Sequence, residues 1–218
     1  IRLLQAASNP TLICEGADEF DLTYEEFGEP DQKVNLADVV DLDVGIYEKI
    51  ATYSKRKEIP SKLVEATKVT KELLQKGEKV IIWSSFIDNM LIFKNQLLKE
   101  ENPILIYGDI SREEDDEVNR DKLIQEFKDD PNPRVLIATP ASLAESVSLH
   151  INSKTKEKVC SQAIYLDRNF NGAQFMQSMD RIHRLGMDDK LEVVYHFIIA
   201  NKTIDEKIDE RLWEKYTD

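Results

Sequence analysis

The chain has 218 residues, a formal net charge of −13, 41% hydrophobic and 33% charged residues, and two cysteines. This is one domain, or at most two, with enough apolar content for a real core. It contains no run of about eighteen apolar residues to span a bilayer, and no charged n-region leads into an apolar stretch at IRLLQAASNP.

Cys14 and Cys160 lie far apart without a CxxC companion, so neither a disulfide framework nor a zinc site is expected. His150, His183 and His196 lack metal-ligand spacing, and no metal site is expected from them. The opening without Met points to a piece of a longer protein. Taken whole, the charge opposes nucleic acid, because phosphate contacts need cations. Its distribution changes that reading. Between Glu15 and Asp43 eleven acidic residues face one basic residue, Lys33, a local sum of −10, so the other 189 residues carry only −3. The acidic block reads as a solvated connector, and the remainder has room for a local basic surface.

In chain order, residues 1–13 read as a short helix ended by Asn9-Pro10. After the acidic block a helix is expected near Val44–Tyr53, then the basic trio Lys55-Arg56-Lys57. Ser61 is placed as an N-cap, with Leu63, Ala66, Thr67, Thr70, Leu73 and Leu74 as a helical stripe and Gly77 as its stop. VIIWSS (80–85) is a short apolar run rich in β-branched residues, the mark of a strand buried on both faces. A helix follows to about Glu100, and then a second strand, ILIY (104–107). Ser111 and Glu114 form a capping box before a helix ending near Phe127. VLIAT (135–139), QAIYLD (162–167) and EVVYHFII (192–199) are three more strands, and a second capping box, Thr203 with Glu206, opens a terminal helix carrying Ile204, Ile208 and Leu212. Buried strands alternating with helices predict an α/β fold, a mainly parallel sheet with helices on both faces. Ligands of such sheets bind outside the carboxyl ends of the strands.

The segment QSMDRIHRLG, Gln177 to Gly186, sits in the helix predicted after Asn171-Gly172. Phe175, Met179, Ile182 and Leu185 make one apolar stripe, and Gln177, Arg181 and Arg184 make another. Each member of the second stripe is two residues from an apolar counterpart, about 200° around a helix. The two arginines are therefore expected to point away from the core together. An isolated helix of this kind would simply present a solvated face. A paired guanidinium site, by contrast, can clamp phosphate oxygens bidentately and offset charge in phosphoryl transfer.

QSMDRIHRLG resembles motif VI of superfamily-two helicases in the Swi/Snf-type form, Q-x-x-D-R-x-H-R-x-G. The resemblance extends along most of residues 1–200. IRLLQAASNPTLI is similar to the family's helix entering the second lobe. IPSKL followed by KVIIWSS resembles the segment carrying motif IV, YGDIS…NRDKLIQEF the next strand–helix unit, and VLIATPASLAESVSLH the position of motif V. Two features depart from the pattern: motif V lacks glycine and carries Pro140, and Met187 stands where many relatives have Gln. DEAD-box RNA helicases place an arginine at the Met187 position, which favours the translocase branch.

The resemblance implies a three-layer RecA-like domain, akin to P-loop NTPases, that serves as the second lobe of an ATP-driven DNA translocase. Arg181 and Arg184 would be its arginine fingers, Gln177 would orient the nucleotide contact, and Asp180 would position the arginines. Ser84, Ser85, Thr139 and Ser146 would touch the DNA backbone, since hydroxyls bond phosphate without reading bases. The expected division is 1–58 for the entering helix and acidic connector, 59–200 for the RecA-like lobe, and 201–218 for a bracing helix. Implied partners are the N-terminal RecA-like lobe of the same parent protein and double-stranded DNA without sequence preference. No membrane is involved, and the implied location is intracellular, bacterial cytoplasm or eukaryotic nucleus.

No G-x-x-x-x-G-K-[ST] loop occurs among the seven glycines, and no Asp-Glu pair ends an apolar strand to hold Mg²⁺. ATP with Mg²⁺ is thus expected to be held mainly by the other lobe, and this chain alone is expected to hydrolyse none. Two rival readings remain open: a lobe that truly separates strands, and a non-catalytic RecA-like docking module whose arginines serve structure.

Overall fold

The computed structural model describes residues 1–13, 52, 56, 58–108, 110, 119–143, 148–152, 154–155, 157–183 and 192–217. The helix expected near Val44–Tyr53 apart from residue 52, the whole acidic block, Lys55 and Lys57, the Ser111–Glu114 capping box, Ser146, and Arg184 to Met187 lie outside these residues.

Strands β1 (Val80–Trp83), β2 (Ile104–Ile106), β3 (Val135–Ala138), β4 (Gln162–Tyr165) and β5 (Val194–Phe197) form one sheet in the order β2-β3-β1-β4-β5. Every pairing is parallel; Val80 aligns with Val135 and Gln162, and Gln162 with Val194. The first four strands are buried at every position, as continuous apolar runs require. β5, at one edge of the sheet, is half-buried throughout, whereas β2 at the other edge is fully covered.

Alternation along the strands divides the interior in two. Ile81, Trp83, Leu136, Ala138, Ala163 and Tyr165 turn to one face and join Leu4, Phe127, Phe175 and Ile208. Val80, Ile82, Val135, Ile137 and Ile164 turn to the other and join Leu63, Ala66, Met90 and Phe93. The first face is covered by α1 (Arg2–Ser8), α4 (Arg120–Asp129), α5 (Gly172–Met179) and α6 (Ile204–Thr217). The second is covered by α2 (Ser61–Gln75) and α3 (Ile87–Ile92), the latter running on through a π turn, Phe93–Leu97. The result is the expected three-layer RecA-like arrangement.

The local stops are chemical. Gly77 sits at φ +81 after α2, in the left-handed region glycine tolerates. Asn171 caps α5 by accepting from Gln174 N at 2.9 Å, and Asn119 caps α4 by accepting from Lys122 N at 2.9 Å. Thr203 Oγ1 accepts from Asp205 N at 3.2 Å at the start of α6. Ser61 proves to be the first helical residue; Pro60 occupies the cap, a position its fixed φ suits, and no side chain caps α2. The helix expected to carry both arginines ends at Met179: Ile182 N and His183 N both bond back to Met179 O, closing a tight turn.

Candidate functional site

Chain direction reverses between β1 and β4. From β1 the chain moves toward β2 on one side, and from β4 toward β5 on the other. The crevice outside their carboxyl ends is therefore the topological switch point, where open parallel sheets bind ligands. Ser84 and Ser85 leave β1 there, and Leu166, Asp167 and Arg168 leave β4.

Asp167 fills the centre of this crevice. It is 2% exposed. Its Oδ1 accepts Ser85 N at 2.6 Å, and its Oδ2 accepts Ser84 Oγ at 3.0 Å and Ser8 Oγ at 3.2 Å. Asn89 Nδ2 donates to Ser8 Oγ at 2.9 Å, and Asn9 Nδ2 donates to Asn89 Oδ1 at 2.9 Å. The network thus ties α1 and α3 to the ends of two central strands. Burial pushes the Asp167 carboxyl above the usual carboxylate range, against the opposing pull of Lys62 and the Ser85 and Ser84 hydrogen bonds. A backbone N–H at the switch point is a ready anion donor, and here the protein's own carboxylate takes it.

Beside Asp167, Arg168 pairs with Asp209 on α6, Nη2 to Oδ1 at 2.5 Å. Its guanidinium lies 4.4 Å from the Phe197 ring centre and 5.6 Å from that of Phe175. Tyr165, Phe175, Phe197 and Trp213 pack as an aromatic cluster behind it, so Trp213 serves helix packing. Tyr165 Oη meets Ser178 Oγ at 2.8 Å, and burial holds this phenol far above its ordinary pKa.

A second arginine organises the neighbouring loops. Arg120 Nη1 donates to Ser142 O at 2.7 Å, while Nη2 reaches Tyr107 O at 3.3 Å and Ile110 O at 3.2 Å. It holds the turn after β3 against the end of β2.

The structure departs from the expected placement of several residues. Gln177 and Asp180 are exposed, but Arg181 is 6% exposed. The shared outward face of Gln177 and Arg181 is not formed, because α5 ends at Met179 and helical spacing stops applying there. Phe175, Met179 and Ile182 do face inward. Arg181 O accepts Leu149 N at 2.8 Å, so the turn with Arg181 is tied to the end of the motif V segment. Ser84 is 0% and Thr139 1% exposed. The Ser84 hydroxyl bonds Asp167, and Thr139 Oγ1 accepts Ser142 N at 3.3 Å. Both hydroxyls bond inside the fold: a short hydroxyl at the end of a covered strand meets a protein partner before solvent. Ser85 is also buried but lines a small recess with Arg168, Asn169 and Gln174.

Lys154 and Lys158 pair with Asp129 at 3.4 Å and Glu78 at 3.0 Å, near the amino ends of the strands. A solvated loop accounts for them. Sequence reading did not single out Asp167, Arg168, Asn89 or Arg120. Only Asp167-Arg168, a charged pair closing an apolar strand, carried a local signal.

The family of helicase conserved C-terminal domains matches residues 64–186, more than half of the chain. An ATP-dependent helicase of Schizosaccharomyces pombe, described as uncharacterized, is 29% identical over 164 residues, 73% of this chain and 14% of that protein. The ISWI chromatin-remodeling complex ATPase ISW2 of Saccharomyces cerevisiae is 30% identical over 155 residues, 71% of this chain and 13% of that protein. The chain thus spans about a seventh of the length of these relatives. Among solved structures, the C-terminal part of the Fun30 ATPase domain has a TM-score of 0.58 at 20% identity, covering 97% of this chain and 67% of that one. The Sulfolobus solfataricus SWI2/SNF2 ATPase core in complex with dsDNA has a TM-score of 0.54 at 23% identity, covering 80% and 36%. These two show the likeness of fold. Motif VI, the parallel sheet and the family match agree: the chain belongs to the helicase conserved C-terminal domain family, with the RecA-like fold of these solved structures.

Proposed function

We propose that this chain is the second motor lobe of an ATP-dependent DNA translocase, half of a composite ATPase whose P-loop, ATP and Mg²⁺ belong to an N-terminal lobe. The observation that carries this reading is the arrangement at the switch point. The lobe belongs to a helicase family, yet the Ser85 N–H at its switch point is taken by its own Asp167. It therefore contributes to a nucleotide held elsewhere.

In this reading Arg184 is the arginine finger, and Arg181, the other arginine of the motif, is buried and backbone-tied to Leu149. Gln177 and Asp180, both exposed, flank that contact. Ser85 and Ser146 are the hydroxyls proposed at the DNA backbone. Double-stranded DNA is gripped through phosphates, with little sequence preference, and translocation follows from cleft opening and closing between two rigid lobes. Residues 1–58 enter the lobe, 59–200 form it and 201–218 brace it. Leu4 and Leu12 share a core with Ile208 and Leu212, so the two flanking segments support one another. The proposed location is intracellular.

Joining the chain to the P-loop lobe of its parent tests the proposal through DNA-stimulated ATP hydrolysis. Arg184→Ala is expected to lower kcat about 10³-fold or more, with the fold intact by circular dichroism. The chain alone is expected to hydrolyse no ATP. Unchanged hydrolysis in the joined Arg184→Ala protein would instead favour a docking module whose arginines serve structure.

A further inference from the structure

Arg168 is more than nine-tenths buried, and its charge is only partly answered. Nη2 meets Asp209, and two ring faces fix the plane of the guanidinium. Nη1 is buried with no hydrogen-bond partner among the described residues. A buried guanidinium N–H without an acceptor is costly to leave so.

Arg168 lines a recess of about 10 Å³ at the switch point, room for a single oxygen atom. Ser85, Asn169 and Gln174 share its wall. Asn169 Nδ2 donates to Gln174 Oε1 at 3.1 Å, an amide orientation that leaves Gln174 Nε2 as a second donor. Asp167 is the carboxylate in the wall, and its oxygens are engaged by Ser8, Ser84 and Ser85.

We propose that this recess is an oxyanion subsite, in which Arg168 and Gln174 take one oxygen of a phosphate group. A fixed guanidinium fork suits that ligand. Two sources carry the same chemistry, a DNA backbone phosphate and a nucleotide phosphate presented by a neighbouring lobe. The choice between them rests on the motor-lobe reading, whereas the subsite itself is read with inorganic phosphate and stands or falls apart from it.

The test labels the arginines of the 218-residue chain with ¹⁵N and follows the Arg168 guanidinium resonance, assigned by its disappearance in R168K. Inorganic phosphate is added at constant ionic strength against sodium chloride. A saturable shift with phosphate and none with chloride is expected. D209N breaks the same ion pair but keeps the guanidinium, and it should bind phosphate as well or more tightly. R168Q should weaken phosphate binding, measured by ³¹P line broadening, about tenfold or more, the scale of a charge-assisted contact.

No response to phosphate would leave the recess to a water and overturn the proposal. Equal loss in D209N and R168Q would make Arg168 a latch for α6, which also overturns it. A short DNA duplex and ATP are then compared on the same resonance. A response to the duplex, with a salt-dependence slope lowered by about 0.9 in R168Q, assigns the backbone; a response to ATP alone assigns the nucleotide; a response to neither upholds the subsite for free phosphate and counts against the motor-lobe source of it.

Discussion

Asp167→Ala is the sharpest probe of how this lobe is held at its switch point. The substitution removes the acceptor of Ser85 N, Ser84 Oγ and Ser8 Oγ in a site 2% exposed. Ser84 Oγ has a second acceptor within reach, Phe86 O at 3.3 Å, and can turn to it. The Ser85 N–H and the Ser8 hydroxyl are left without one. At about 1–3 kcal/mol for each orphaned buried group, two orphans cost roughly 2–6 kcal/mol. Relief of the desolvated carboxylate offsets part of this, leaving a net loss of about 3 kcal/mol. For a chain of this size that is a fall in Tm of about 6–12 °C.

Asp167→Asn keeps an acceptor of the same shape and should cost much less. It also removes a titration. Burial raises the native carboxyl above its ordinary 3.8, so between that value and the raised one the folded chain holds a proton the unfolded chain has lost. Stability from this group therefore falls as pH rises through that window, and the loss is complete above the native value. Parent and Asp167→Asn are thus expected to differ in slope on the acid side, the parent gaining relative to the variant as pH falls. Thermal melts across pH, with hydrogen exchange at the Ser85 amide, read both effects. A Tm for Asp167→Ala within about 2 °C of the parent, or identical pH slopes for parent and Asp167→Asn, would refute the reasoning.

Lys62 and Asp205 form an ion pair at 2.7 Å with both side chains 6% exposed. Lys62→Met should cost about 3–5 kcal/mol by stranding Asp205, and Lys62→Met combined with Asp205→Asn should cost less than the sum of the singles, as urea titration will show. Gly77→Ala should lose about 1–2 kcal/mol: φ is +81 and nothing stands within 4 Å of the added Cβ, so the cost is backbone conformation alone. Burial pushes the Cys160 thiol up to about 12. In a Cys14→Ser background it should stay unmodified by a thiol reagent at about pH 8 while folded and react on unfolding; rapid labelling of the native chain would count against the buried assignment.

Strands and helix stops were legible because their causes are local. An apolar run such as VIIW must be covered on both faces, and VLIA, QAIY and VYHF take the same parallel sheet. Gly77, Asn171 and Thr203 act within three residues of themselves. Motif VI was legible as a pattern, and with it the family. The direction of Arg181 was not, since periodicity projects side chains only while a helix continues, and α5 stops two residues earlier.

The sequence by itself determined the element order, the fold class and the lack of a phosphate loop, because each is written in neighbouring residues or in their period. Tertiary structure alone decided what closes the switch point. Asp167 meets Ser8 across 159 positions and Ser84 across 83, and Asn89 meets Ser8 across 81. No local propensity encodes such meetings. They arise when two strand ends and two helices converge, and burial then obliges every polar group present to find a partner.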